Sequence, residues 1–586
     1  MDIMSPAQTS KALPYSRVYP ADVIDSAWDV PQAEVLAAAR RRVGSLSGVL
    51  QEALAAFAIL GIVFMLQAAA GAYRGERASY SDEASHFMNA LLVRDYVRDG
   101  IGQHPLRFAE QYYISYPKIA PGMWPPLFHA VLGVLMLANR SPQTTALALL
   151  ALISTWTSWR LYRMVSLFET RFVGLLIAVA FVLTTAIIDL TTAIMLDLAV
   201  AALALEATYW FAIFLTTGKK RHAGLFGIAA ALCCLTKGNG LSLILMPAAL
   251  VMFTRRFDVL RHAGLYLAAA IVLGFAMPPL FVSYRLDAAI GDFGAVGLAD
   301  VVARLYFYSA FLVRQFGAPL LIASLVGVGV GLCPVRDGRV ELAWAMKAGL
   351  AALIVSSLVF HLFNPHLGIA PRYIALTVAP LLGLLPVGVE QIARGIRQYE
   401  LRRTLQVAIL LTLFAAFLVV RPAMATRYPV GAATTIDFFS KGGLLAGSTI
   451  LVVTNEEGEG ALVSEVASRH PEPVATVLRG SKVVATDDWA GRRFKMLFAS
   501  PGDLLQELED LHVDYLVMDY SKPAMGVAFW SQVNAMIETY SPRFERMYEV
   551  DAGHRLVIYR LKYRTPGSPK RLEVPLTYSL GRVIGR

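Results

Sequence analysis

Asp82 and Glu83 stand side by side in SYSDEASHF, residues 79–87, shortly after a long apolar run. Adjacent carboxylates in such a place can take a proton from a hydroxyl nucleophile. They also suit the first turn of a helix behind a Ser81 cap, because Ala84, Phe87, Met88, Leu91 and Leu92 keep helical spacing. Asp197 opens a second apolar run in IMLDLAVAALAL, where a helix cap and a chemical role are both open. Lys237, in CLTKGNGLSLILMP, falls between two apolar halves and precedes Gly238 and Gly240. An interrupted helix pair presents N-termini to an anion, and a snorkelling lysine in a tight turn gives the same pattern. His361, His366 and Arg372 flank the start of another run in HLFNPHLGIAPRYIALTVAP. The arginine suits a bound anion or a salt bridge, whereas two histidines five apart make a poor metal pair alone. An ionisable residue inside a membrane costs about 2.5–3.5 kcal/mol on insertion scales, so each of these needs a reason.

The elements that must position them are membrane helices. Of 586 residues 56% are hydrophobic and 16% charged, with the charges gathered between apolar blocks, which makes this a polytopic membrane protein. The first apolar run, 49–71, follows Arg40, Arg41 and Arg42; it comes too late for a cleavable signal and puts the N-terminal segment 1–48 in the cytoplasm. Further runs cover 142–160, 172–194, 198–216, 222–236, 239–254, 263–283, 316–333, 342–362, 373–389 and 404–420. Basic clusters at Arg160 to Arg171, Lys219 to Arg221, Arg255 to Arg261, Arg336 with Arg339, and Arg394 to Arg403 all fall inside if 142–160 is the second full span. Residues 125–138, PPLFHAVLGVLMLA, are too short to cross and read as a re-entrant or interfacial helix. The count is about 11 spans. Short run 222–236 also allows a pair of half-helices. The net charge of +10 follows from these loops and does not call for nucleic acid. Cys233, Cys234 and Cys333 lie in or beside apolar segments and predict no disulfide framework.

This topology puts all four polar constellations on the outer face. Two or three acids and two cations there form a cavity in which a carboxylate can deprotonate a nucleophile and fixed cations can hold a phosphate. Residues 425–565 change character: TILVVTNEEGEGALVSEVASRH reads as strand, turn and helix, LHVDYLVMDYS as a strand, and FERMYEVDAGHRLVIYRLK as a hairpin. They predict an extracytoplasmic soluble α/β domain, followed by a loosely ordered tail, 566–586. GEGALV holds two glycines of a dinucleotide fingerprint without the third and reads as a structural turn.

The ordered series of DE in the first outer loop (72–124), PPLF after it, LD at 196–197, LTKG and PRY with a later proline resembles the multispanning GT-C glycosyltransferases. The likeness is to the branch of protein O-mannosyltransferases and lipid A aminoarabinose transferases, and it covers about 49–420, within a catalytic region of 49–424. It implies a sugar donor on a polyprenyl phosphate, a protein, lipid or glycan hydroxyl as acceptor, and transfer outside the cytoplasm with inversion. Asp82 takes the place of the family's catalytic aspartate, with Glu83 beside it and Asp197 as the second-loop acid. Arg372, with Tyr373 next to it, and Lys237 are candidates to hold the phosphate, with Lys118 and His366 in reserve. Met123 and Trp124 stand where the lipid A branch has an acid and a lysine, which weakens any inference of metal; no cofactor is called for, and a divalent cation stays open. Trp124, with Tyr112, Tyr113 and Tyr116, suits either sugar stacking or an interfacial aromatic belt. Rival readings are a lipid-linked sugar transporter or flippase, a polysaccharide polymerase or ligase, and an inactive scaffold. No internal repeat supports the transporter, and the single arginine favours a monophosphate over a diphosphate.

Overall fold

The computed structural model describes residues 46–290, 295–333, 340–365, 368–396, 398–470, 472–486, 494–562, 573–576 and 582–585. Residues 54–586 form one compact unit; of the other, residues 1–53, the described part is the opening of the first helix. The apolar runs are helices, because uninterrupted hydrophobic stretches satisfy their backbone polar groups internally in lipid. Asp197–Thr217 and Pro371–Gly395 are the central ones, each 89% buried over its most apolar window, whereas Tyr399–Val420 is 17% buried and faces outward. The two central helices begin at Asp197 and just before Arg372, so two of the candidate residues lie at the ends of the best-packed elements.

Among the described residues five helices are long and apolar enough to cross a membrane, and counting each of three bent pairs as one span brings the number to eight. The difference from the expected count has local causes. Run 172–194 divides into Arg171–Leu183 and Thr185–Thr192 with a bend of 59°. Run 263–283, expected as one span, breaks by 45° before Pro278 and Pro279, which cannot donate to a continuing helix. Lys220–Thr236 is short, and beyond Lys237 a tight 3₁₀ stretch, Gly238–Ile244, leads into Leu245–Thr254. Leu127–Met136 is ten residues long, in keeping with a helix that does not cross. Leu298–Phe316 was not expected at all: it is amphipathic, turns by 114° into Ala318–Leu332, and buries Arg304 and Tyr308 while exposing Leu298, Val302 and Tyr306. Arg304 donates to the carbonyls of His361 (3.0 Å) and Asn364 (2.7 Å), compensating the negative end of helix Leu342–Phe363. Helices Ala318–Leu332 and Ala375–Ile392 cross at Gly327 and Gly388, where a Cβ on either glycine would overlap the other helix's backbone.

The C-terminal region carries β1 (Thr449–Val453), β2 (Thr476–Arg479), β3 (Ala485–Thr486), β4 (Lys495–Met496), β5 (Tyr515–Asp519), β6 (Phe544–Ala552), β7 (His554–Leu561), β8 (Glu573–Leu576) and β9 (Arg582–Gly585). Five of them form a mixed sheet in the order β2-β1-β5-β7-β6. β1 runs parallel to β2 and β5, with Ile450 level with Val477 and Tyr515, and β7 is antiparallel to β5 and β6. Both faces are covered. Leu451, Val453, Leu516 and Met518 pack with Leu504, Leu508 and Val533 of two flanking helices. Ile450, Val452 and Val517 face helix Glu456–Arg469, in a core continuous with that of the membrane helices.

That helix lies directly on helix Ser81–Asp95, which carries the acidic pair. A Cβ on Gly460 would stand 2.7 Å from the Ala84 Cβ and 3.1 Å from the Lys118 Cε, so the glycine in GEGALV permits close packing. Around it the loop before Ser81 is tied down. Arg77 pairs with Glu465 and donates to Ser464 (2.7 Å), and the Glu76 carboxylate accepts the N–H groups of Val430, Ala432 and Ala433, capping helix Ala432–Lys441.

Candidate active site

Four elements distant in sequence bring their charges together. Asp82, in the first turn of helix Ser81–Asp95, accepts from the Arg372 Nη2 at 2.7 Å. Asp197, at the first residue of its helix, is only 1% exposed and accepts from the Lys237 Nζ through both oxygens, at 2.9 and 3.0 Å. Lys237 reaches it from the extended residue between helix Lys220–Thr236 and the 3₁₀ stretch. The Tyr373 ring joins the pairs: its centroid is 5.3 Å from the Arg372 guanidinium carbon and 5.2 Å from the Lys237 nitrogen, within cation–π range of both. His361 stacks on the Tyr373 ring, centroids 6.1 Å apart, and approaches the Asn239 amide at 3.5 Å. Thus Asp82, Asp197, Lys237, Arg372 and Tyr373 form one cluster.

Each cation is neutralised by a carboxylate, as it must be where so little water reaches. Arg372 is not saturated, however. Its Nε is buried with no hydrogen-bond partner among the described residues, leaving a donor available to a planar or tetrahedral anion. Under the guanidinium, 5.3 Å away, lies the ring of Tyr80, whose hydroxyl donates to Asp189; Arg427 pairs with the same carboxylate. Tyr80, Asp189 and Arg427 were not singled out from the sequence, since the partners lie 109 and 238 residues apart.

Glu83 points elsewhere. It is 3% exposed and accepts the N–H groups of Ser79 (2.9 Å) and Ile194 (3.0 Å). Burial raises its pKa, and those two amides draw it back. Holding the Ile194 N–H ties down the turn that leads to Asp197 three residues later. Lys118 makes its ion pair elsewhere. It is 4% exposed and lies over helix Glu456–Arg469, 3.3 Å from Glu456. Trp124 packs on His86 (centroids 4.3 Å apart) and near His129 (6.3 Å). His366 lies outside the described residues. Among the described residues no group of three His, Cys, Asp or Glu side chains is arranged to hold a metal ion.

The Lys118 contacts have a measurable consequence. Burial, then repulsion from Arg479, lowers its pKa from 10.5 to about 8. Between those values the unfolded chain binds more protons, so this group's contribution to folding improves as pH rises through that window, and the buried ammonium is a cost at pH 7. Lys118→Met is expected to raise Tm at pH 7, the gain shrinking above pH 8. Glu456 is 49% exposed and returns to water when its partner goes. A thermal-shift pH series checks this.

The fold has solved counterparts. It is similar to ArnT from Cupriavidus metallidurans in the apo state, at a TM-score of 0.53 and 14% identity over 86% of this chain and 97% of that one. The same protein bound to undecaprenyl phosphate gives 0.50 and 12%, over 89% and 100%. The archaeal oligosaccharyltransferase AglB from Archaeoglobus fulgidus, in complex with an inhibitory peptide and a dolichol phosphate, gives 0.45 and 11%, over 79% and 69%. No family model and no curated protein sequence matches the chain.

Proposed function

We propose that this protein is an integral-membrane glycosyltransferase that moves a sugar from a polyprenyl-phosphate carrier to a hydroxyl of a protein, lipid or glycan. The observation that carries the reading is the junction of Asp82–Arg372 with Asp197–Lys237 through Tyr373, which sets a carboxylate beside two cations in a buried site. Its fold neighbour that holds undecaprenyl phosphate supports a carrier of that class. The acceptor oxygen attacks the anomeric carbon from the face opposite the phosphate, and its proton passes to Asp82. The carbon–oxygen bond to phosphate breaks with its electron pair, so the configuration inverts and the carrier leaves as an anion. Arg372 and Lys237 stabilise that anion, which needs no proton donor because its basicity is low. Reaction takes place on the extracytoplasmic face, with the N-terminus inside and residues 425–565 outside, next to the bilayer that keeps the lipid tail.

The test is sugar release or transfer from a panel of radiolabelled polyprenyl-phosphate sugars by purified protein in lipid, with Arg372→Lys alongside. Turnover is expected from at least one donor. The lysine variant is expected to weaken the donor by about tenfold or more, because one ammonium cannot supply both the Asp82 bond and the spare Nε donor. Carrier binding without turnover when candidate acceptors are supplied would favour a transporter, and unchanged donor affinity in the variant would move the phosphate away from Arg372.

A further inference from the structure

His86 lies one helical turn beyond Asp82, so both side chains project from the same face of helix Ser81–Asp95. It is fully buried, at 0% exposure, and its Nδ1 meets the Nε2 of His129 at 3.3 Å. The Trp124 ring stands over it, with centroids 4.3 Å apart and planes at 59°. The remaining ring nitrogen, Nε2, has no hydrogen-bond partner among the described residues. Such a group is costly in a folded protein unless something completes it.

Burial first, then repulsion from His129, Lys237 and Arg372, lowers the His86 pKa well below the ordinary value. The ring is therefore neutral and leaves the negative charge of the site to the carboxylates. A proton lies on one side of the contact with His129. If His86 donates through Nδ1, its Nε2 accepts; if Nδ1 accepts, Nε2 donates. In either tautomer the free end pairs with a hydroxyl, which can act as donor or acceptor. Trp124 supplies the apolar surface on which a pyranose or furanose C–H face rests.

We propose that His86, held by His129 and flanked by Trp124, is a sugar subsite that hydrogen-bonds a ring hydroxyl of the donor. This rests on the transferase reading above and adds the group that distinguishes a loaded carrier from a bare one. The phosphate cluster binds both forms; His86 responds only to the sugar.

The experiment compares binding of bare undecaprenyl phosphate with undecaprenyl-phosphoryl glucose, mannose, galactose and arabinose, using the full chain in lipid nanodiscs. Wild type is expected to hold at least one loaded carrier about tenfold tighter than the bare one. His86→Phe is expected to bring that ratio near one while leaving the bare carrier's affinity unchanged, and His86→Gln, which keeps a polar end, to recover part of it. If the phenylalanine variant does not fold, the glutamine variant and carriers with singly deoxygenated sugars read the same ratio, the critical deoxy sugar losing about tenfold only in wild type. A folded His86→Phe protein that keeps the wild-type ratio overturns the subsite. So does a variant altered only in acceptor KM, since the hydroxyl would then belong to the acceptor. Turnover by a wild type that shows no preference for any loaded carrier overturns the subsite but leaves the transferase reading standing. Absence of both binding and turnover defeats the two together.

Discussion

Asp82→Asn is expected to lower turnover by about 10²–10⁴-fold while leaving donor affinity equal or improved. The asparagine oxygen can still accept from the Arg372 Nη2, at the position the carboxylate occupies 2.7 Å away, so helix Ser81–Asp95 keeps its place. What disappears is the proton acceptor and the negative charge that competes with a phosphate for Arg372. A structural role predicts the opposite pattern, with loss of folded protein and weaker donor binding in step with activity. Single-turnover transfer and carrier binding, measured on the same preparation, separate the two. Near-normal turnover would remove Asp82 as the base. Arg372 holds Asp82 through Nη2 while its Nε stays open, so on the proposed reading carrier binding and acceptor activation are linked through one guanidinium.

The cluster was legible because membrane burial makes ionisable residues expensive. Asp197, Lys237 and Arg372 could be singled out by their interruption of apolar runs, and the alternation of basic loops put them on one face before any contact was known. Their pairing was not legible: nothing in LTKG or SDE says that Lys237 meets Asp197 and Arg372 meets Asp82. The partner of Lys118, Glu456, was not legible for the same reason, since it lies 338 residues away and composition alone offers no rule for joining them. His86 and His129 were passed over because isolated histidines among Phe, Met and Leu resemble core residues; only the orphaned Nε2 sets His86 apart. Leu298–Phe316 escaped because its polar stripe dilutes the apolar signal that identifies spanning helices, although its helical periodicity is plain once sought. The strands of the C-terminal sheet could be read from continuous apolar runs such as Ile450–Val453, which are buried on both faces. The contact of helix Glu456–Arg469 with helix Ser81–Asp95 had no local signal beyond a glycine at 460.

Lys237→Met and Asp197→Asn are each expected to destabilise the protein, the former by about 3–5 kcal/mol, because either change leaves a buried charge without its partner. Combining them removes both charges, so the double variant is expected to recover most of the lost Tm. Recovery of stability does not restore function on the reading proposed here. Lys237 sits 5.2 Å from the Tyr373 centroid, as Arg372 does at 5.3 Å, and on that reading it supplies the second positive charge at the leaving phosphate. The double variant should therefore fold and still turn over about 10²–10³-fold more slowly than wild type, the size of effect seen when one preorganised electrostatic contact is lost. A thermal-stability cycle over the four proteins, paired with transfer rates, checks both halves. Restored stability with restored turnover would make Asp197–Lys237 a purely structural pair and leave Arg372 alone at the phosphate. Stability that fails to recover would mean that the bidentate geometry, with Lys237 bridging both carboxylate oxygens at the start of a central helix, does more for the fold than neutralise charge.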